Sequence, residues 1–131
     1  MIFSRNLRAL FLLPVFCAPF FALSPASVQA QSADKGGALF KARCAMCHTT
    51  RVGAAAGLAP NLWGVGGRKA GATGFQYTGA MKASNIVWTR KSLDKLLADP
   101  GKTVPGTAMA ISVPNAKERG AIVAYLLSLK S

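Results

Sequence analysis

The chain has 131 residues, with 16 Lys and Arg against 4 Asp and Glu, and a formal net charge of +12 at pH 7. That length suits one modest domain and excludes two large ones. Nucleic acid is the usual partner of so basic a protein, but the basic residues are scattered rather than striped and no nucleic-acid-binding motif is present, so acidic protein surfaces are the partners we expect.

The N-terminus has the three regions of a secretory signal peptide. Arg5 and Arg8 form the basic start, an apolar centre follows, and residues 28–30 (Val-Gln-Ala) form a small-residue cleavage site. An uncleaved membrane anchor is the alternative, but prolines interrupt a stretch shorter than the roughly 20 apolar residues that a span needs. We therefore predict a signal peptide over residues 1–30 and one periplasmic domain over residues 31–131. The net charge of that domain would be about +10. We expect no stable insertion into a membrane.

The segment from Ser32 to Met46 is predicted to be a helix, with Ser32 as its N-cap. Gly36, Phe40 and Cys44 recur at four-residue steps, so they lie on one face of that helix. A glycine inside a helix costs up to about 1 kcal/mol relative to alanine. The compensation we expect at Gly36 is the close approach of another helix.

Cys44, Cys47 and His48 form a Cys-x-x-Cys-His motif, the attachment signature of a c-type haem. Two thiols at this spacing can add across the two vinyl groups of one porphyrin, and the adjacent imidazole is then placed to ligate the iron. A redox disulfide would call for a βαβ context, and a structural zinc site would call for four ligands. His48 is the only histidine, and Cys17, the third cysteine, lies in the predicted signal peptide. We therefore interpret the motif as a haem attachment site.

Residues 53–79 are rich in glycine and lack apolar periodicity, which predicts a long structured loop rather than strands. Two further helices are predicted. One runs from Lys91 to Ala98 and follows Thr89. The other runs from Ala116 to Leu129 and follows Asn115, and an acidic residue three positions after Asn115 completes a pattern typical of a capping box. Their apolar stripes are Leu93, Leu96 and Leu97, and Ile122, Tyr125, Leu126 and Leu129. We expect these stripes to be ordinary core that walls the haem pocket.

Methionine is the predicted second axial ligand, since the chain has no second histidine. Met1 falls in the signal peptide, and Met46 lies inside the attachment loop, too close to the proximal side to cross the ring. Met81 lies in a predicted short helical turn that favours core packing or a lining position. Met109 follows a Pro-Gly pair, whose irregular backbone can present a thioether sideways to a cofactor. Met109 is therefore the predicted ligand, and a lysine or a vacant position are the alternatives.

From Ala33 to Leu129 the chain resembles class I cytochromes c, particularly the mitochondrial-type and bacterial c2-like members. The motifs that carry the resemblance are Gly36, Phe40, Cys44-Ala45-Met46-Cys47-His48, Pro60-Asn61-Leu62, Gly67-Arg68-Lys69, Gly74-Phe75-Gln76-Tyr77, Trp88, Pro105-Gly106-Thr107 with Met109, and Tyr125-Leu126. The resemblance implies a small all-α fold, in which the N- and C-terminal helices cross over one covalently bound haem c and long loops connect them.

The resemblance also implies roles for residues around the haem. The Pro60 carbonyl would accept a hydrogen bond from the His48 ring, which fixes the tautomer of that ring. Arg68, Tyr77 and Trp88 would hold the inner haem propionate, a charge that is costly to bury without partners.

The chain departs from the family pattern at several positions. Leu96 stands where mitochondrial members carry a tyrosine, and Ile111 replaces a phenylalanine that usually covers the haem edge. Ala108 and Gly101 stand where the family has docking lysines. The chain therefore has many positive charges, but they are arranged differently from those of the family. For this reason we do not predict that it binds partners through the family's usual docking face.

Together these features predict a soluble, monomeric one-electron carrier that is not an enzyme, with iron ligated by His48 and Met109. Its partners would be redox proteins with acidic docking surfaces: a quinol-cytochrome c reductase, a terminal oxidase, a reaction centre or a dehydrogenase. Two alternatives stay open at this point. One is a five-coordinate haem protein that binds a gas or reacts with peroxide, and the other is an electron-transfer subunit dedicated to one periplasmic dehydrogenase or sulfur-oxidising complex.

Overall fold

The computed structural model describes residues 25–130, with side chains from Ala30 onward. Within that range lie five helices: α1 (Pro25–Arg43), α2 (Gly79–Ala83), α3 (Arg90–Ala98), α4 (Pro100–Thr103) and α5 (Ala116–Ser128). Residues 44–78 contain no helix or extended strand, and a single β-bridge pairs Lys69 with Val87. The predicted all-α class and the predicted long loop are therefore confirmed for the described residues.

The crossing of α1 and α5 is the most extensive helix contact in the fold. Gly36 is buried there: a Cβ at this position would overlap the carbonyl oxygen of Ala121 and would lie 2.8 Å from the Cβ of Tyr125. One turn further on, the ring of Phe40 packs on the ring of Tyr125, with 5.5 Å between their centroids. The predicted close approach of a second helix at Gly36 is confirmed.

The start of α1 differs from its prediction. Within the described residues α1 runs from Pro25, so Ser32 lies inside the helix and is not its N-cap. The alanine and glutamine residues next to Ser32 favour continuation of the helix through it. The predicted cleavage after Ala30 falls within α1 and would leave residues 31–43 of the helix. The rest of the predicted signal peptide, residues 1–24, lies outside the described residues.

The end of α1 also differs, because the helix stops at Arg43 and not at Met46. The N–H groups of Cys47 and His48 both donate to the carbonyl of Cys44, at 3.0 and 2.9 Å. The attachment motif is therefore a tight turn that follows the helix. This turn brings all three side chains of the motif to the wall of one cavity.

α3 and α5 match their predictions within one residue at each end. Thr89 caps α3 in a reciprocal capping box with Ser92. Asn115 caps α5 by accepting from the N–H of Glu118 at 3.1 Å. The other half of the predicted capping box at α5 is missing, because the Glu118 carboxylate instead pairs with Arg43 of α1 at 2.9 Å. That ion pair adds a second link between α1 and α5.

The core formed by these elements is apolar. Among the described residues, every fully buried side chain of the core is hydrophobic, and α3 contributes Leu93, Leu96 and Leu97 as predicted. Met81 lies in α2, the short helical turn expected there. None of the helices between residues 25 and 130 combines the length and the apolar composition of a membrane span.

Candidate functional site

A cavity of about 430 Å³ lies between the helices and the long loops. All eight predicted site residues line it: Cys44, Cys47, His48, Pro60, Arg68, Tyr77, Trp88 and Met109. Most of the remaining wall is apolar and includes Phe40, Val65, Leu93, Leu96, Leu97, Ile122 and Leu126. The fold is therefore suited to a large apolar occupant.

The imidazole of His48 is fixed by one hydrogen bond. Its Nδ1 lies 2.8 Å from the carbonyl oxygen of Pro60, so Nδ1–H donates and the lone pair of Nε2 stays available. Burial lowers the pKa of His48, and the hydrogen bond to Pro60 opposes that shift. The lowered pKa favours the neutral imidazole, the form that ligates metals.

Cys44 and Cys47 are half-buried free thiols on the same part of the wall as His48. Burial raises the pKa of the Cys44 thiol, and the nearby Arg43 charge acts against that rise. Within the described part of the chain, no group of three or more His, Cys, Asp and Glu side chains is placed to hold a metal ion. The zinc interpretation of the motif therefore finds no ligand set there.

Two methionines line the cavity. Met109 is half-buried in the loop between α4 and α5, and its N–H donates to Oγ1 of Thr107 at 3.2 Å. Met81 is only 8% exposed and lines the cavity from α2. Met46, by contrast, is 86% exposed and points into solvent. The candidates for a thioether ligand are therefore Met109 and Met81.

A short antiparallel pairing places Arg68 beside Trp88. The N–H of Trp88 donates to the carbonyl of Arg68 at 2.9 Å, and the N–H of Gly67 donates to the carbonyl of Trp88 at 2.8 Å. The Arg68 guanidinium donates to the carbonyls of Trp63 and Asn61, at 2.8 and 2.9 Å, contacts that the sequence did not indicate. Since a guanidinium has five N–H donors, Arg68 retains donors for an anionic group in the cavity.

Tyr77 is positioned by its neighbours in the long loop. Its hydroxyl lies 2.7 Å from Oγ1 of Thr73, and its ring meets the ring of Phe75 edge-on at 5.1 Å. Thr73 was not predicted to belong to the site, because it stands in an aperiodic, glycine-rich stretch with no motif of its own. The contact holds a hydroxyl group at the cavity wall.

Two large exposed apolar side chains line the cavity. Leu58 and Ile111 line it and are 79% and 58% exposed. Leu58 was also missed from the sequence, since a single leucine in a loop carries no periodic signal. They give the exposed part of the cavity wall an apolar surface, and Arg43, which is also exposed, adds a positive charge to that wall.

The donors around the cavity suit a covalently attached haem. Two thiols and a neutral imidazole share one wall, thioethers reach the cavity from other elements, and arginine and tyrosine donors are available for propionates. An all-α fold built around such a site defines a small c-type haem protein.

Comparison with known proteins leads to the same class. A family model described as Cytochrome c matches residues 33–130. The chain is 41% identical over 105 residues to a cytochrome c of Kluyveromyces lactis, which covers 79% of this chain and 96% of that protein. It is 40% identical over 99 residues to a cytochrome c of Theileria parva, covering 75% of this chain and 86% of that one. A cytochrome c homolog of Bradyrhizobium diazoefficiens is 41% identical over 105 residues, which are 78% of this chain and 56% of the homolog.

The chain belongs to the cytochrome c family. The resemblance to class I cytochromes c is confirmed, and with it the haem c that the family attaches through a CxxCH motif, for which Cys44 and Cys47 supply the thiols.

Proposed function

We propose that the protein is an exported one-electron carrier, with haem c attached through Cys44 and Cys47 and its iron ligated by His48 and Met109. When bound, haem c supplies an iron atom that takes up and releases one electron. The observation that carries the proposal is the meeting, at one apolar cavity, of an imidazole with a fixed tautomer and a thioether on an irregular loop. Methionine ligation and an apolar surrounding both favour the reduced state.

Met109 is a better ligand candidate than Met81. Met81 belongs to α2, and its N–H donates to the capping Thr78 hydroxyl at 3.2 Å. Its side chain is buried among core residues, a role that suits methionine without any metal. Met109 lies on a loop, where the backbone can adjust to a ligand bond without unwinding a helix. Loop placement therefore favours Met109.

The polar residues of the wall have separate tasks in this proposal. Arg68, Tyr77 and Trp88 hold the inner haem propionate, since each has an N–H or O–H donor and lines the cavity. Pro60 orients His48 through its carbonyl. A carboxylate buried without such donors would be costly.

The charge of the molecule favours acidic partners. Lys and Arg outnumber Asp and Glu by 16 to 4, and two of the four acidic side chains are already paired, Glu118 with Arg43 and Asp94 with Arg119. The surface therefore keeps a large excess of positive charge, which speeds encounter with acidic proteins. We propose a periplasmic monomer, cleaved after Ala30, that serves a quinol-cytochrome c reductase, a terminal oxidase, a reaction centre or a dehydrogenase.

The test is the visible spectrum of the reduced, haem-loaded protein before and after addition of carbon monoxide. A host that matures c-type cytochromes would supply the protein. A sharp low-spin spectrum that carbon monoxide leaves unchanged is the expected result, because both axial positions are filled. A clear spectral shift would contradict the proposal and would favour the gas-binding or peroxide alternative.

A further inference from the structure

The segment that carries Met109 depends on an anchor beyond it in the sequence. Val104 and Val113, at the two ends of the segment, are buried, with 2% and 1% exposure. The N–H of Val113 donates to the carbonyl of Leu97 at 2.7 Å. Between Met109 and this anchor, residues 110–112 are exposed and make no hydrogen bond to the rest of the described chain. Thr107 holds Met109 from the N-terminal side, so on the C-terminal side the placement of Met109 depends on how firmly Val113 is held.

Arg119 of α5 reaches back to this anchor. Its Nη1 donates to the carbonyl oxygens of Val113 and Pro114, both at 3.1 Å. Its Nε donates to Oδ1 of Asp94 in α3 at 2.7 Å. Because the Arg119 side chain is only 14% exposed, water screens these contacts less than it screens a surface ion pair.

The three contacts require a guanidinium. An arginine presents five N–H donors in a rigid plane, so it can bind a carboxylate and two carbonyls at once, whereas a lysine ammonium is a point charge on a flexible stem. Asp94 orients the Arg119 guanidinium. Val113 is thus held at its N–H by Leu97 and at its carbonyl by Arg119. Removing Arg119 would leave two carbonyls and one carboxylate without their donor.

We infer that Arg119, oriented by Asp94, is a positioning residue that keeps the Met109 segment against the cavity and so limits exchange of the Met109 thioether for external ligands. Arg119 itself does not line the cavity, so it acts through Val113. The inference rests on the proposed ligation of iron by Met109.

The test measures how readily imidazole, a small external ligand, replaces the thioether in the ferric haem-loaded protein. Two readouts are the imidazole affinity and the sulfur-to-iron charge-transfer absorption of the ferric protein. In Arg119→Gln we expect the absorption to weaken and the imidazole affinity to rise about tenfold, which corresponds to one charge-assisted hydrogen bond. Asp94→Asn and Arg119→Lys should each give a smaller rise of about threefold, because each retains part of the contact.

Glu118→Gln is the matched control. It removes the neighbouring ion pair of α5, from Glu118 to Arg43, but it leaves the anchor at Val113 intact. It should lower the melting temperature only slightly, since an ion pair this exposed contributes little. The imidazole affinity should stay within about twofold of wild type, because the Glu118 side chain does not hold Val113. A variant that only weakens helix packing would change the melting temperature without changing the imidazole affinity, whereas loss of the anchor at Val113 would change the imidazole affinity as well.

The inference is overturned if Arg119→Gln lowers the melting temperature but leaves the absorption and the imidazole affinity as Glu118→Gln leaves them. If Arg119→Gln yields no haem-loaded protein, Asp94→Asn decides by the same criterion. The proposed ligation itself is refuted if the wild-type protein lacks the sulfur-to-iron absorption and binds imidazole as tightly as Met109→Ala does. That outcome overturns the ligand assignment and the positioning role together, and it is distinguishable from the first.

Discussion

The two candidate ligand residues are held in the cavity by very different means. On the histidine side, His48 follows directly on the two thiols at the end of α1, and the Pro60 carbonyl fixes its ring at 2.8 Å. On the methionine side, Met109 lies on a loop whose middle makes few hydrogen bonds and whose far end is held by Arg119. The histidine side is therefore built from the end of α1, the turn after it and the loop that carries Pro60, whereas the methionine side also depends on contacts from α3 and α5. From this difference we expect that damage to the first side prevents assembly and that damage to the second loosens it.

The largest expected effect is on the histidine side. His48→Ala should abolish stable haem incorporation, because the motif loses its only imidazole. Haem content per purified protein, read from visible absorbance, is the measurement. Met46→Leu is the control, since Met46 lies in the same motif but is 86% exposed, and it should mature normally. If His48→Ala contained as much haem as wild type, the histidine side would not be required for assembly, and the expected difference between the two sides would be wrong.

The matching change on the other side should be milder. Met109→Ala should leave haem attached through Cys44 and Cys47 but open one axial position of the iron. Carbon monoxide would then shift the reduced spectrum, which it should not do in wild type or in Met81→Leu. An unchanged low-spin spectrum in Met109→Ala would show that another residue holds that position.

The helix that carries the histidine side offers a test of packing. Gly36→Ala should destabilise the protein by about 2–3 kcal/mol, because its Cβ would meet the backbone of Ala121 and force the helices apart. Gly120→Ala is the paired control: a Cβ at Gly120 has open space around it, and alanine should stabilise α5 by about 0.5–1 kcal/mol. Chemical denaturation of the haem-loaded variants measures both. A Gly36→Ala variant as stable as Gly120→Ala would contradict the close helix crossing.

The smallest expected effect compares one hydrogen bond on each side. Thr107→Val removes the acceptor of the Met109 N–H and should raise imidazole affinity about threefold, the worth of one neutral hydrogen bond. Thr49→Val removes a similar bond near the histidine side, from Thr49 to the Ala55 carbonyl, and should leave imidazole affinity unchanged. If Thr49→Val raised the imidazole affinity more than Thr107→Val does, the histidine side and not the methionine side would limit ligand exchange, which would contradict the account.

Much of the histidine side was predictable because its signals are local. The spacing from Cys44 to His48 indicated the cofactor, and the glycine at Gly36 indicated a helix crossing, since only a missing Cβ allows such an approach. The caps Thr89 and Asn115 lie directly before the helices they start. Each of these signals needs only a few neighbouring residues to be interpreted.

Other features needed the folded chain. The contacts of Arg119 join three separate segments, and an arginine on a helix gives the same sequence pattern whether it faces solvent or binds carbonyls. Ser32 was predicted to be an N-cap because serine is a preferred N-cap residue, but it lies inside α1. α4 was missed although Asp99 and Pro100 form a typical helix start, because a helix of one turn leaves no periodicity to detect.

The most direct test of the account is the identity of the methionine that meets the iron. A proton NMR spectrum of the ferrous haem-loaded protein reports it, because a ligating methionine lies over the porphyrin ring and its methyl signal is shifted far upfield. We predict one such signal, present in wild type and in Met81→Leu and absent in Met109→Ala. Loss of the signal in Met81→Leu, or no upfield methyl in wild type, would contradict ligation by His48 and Met109.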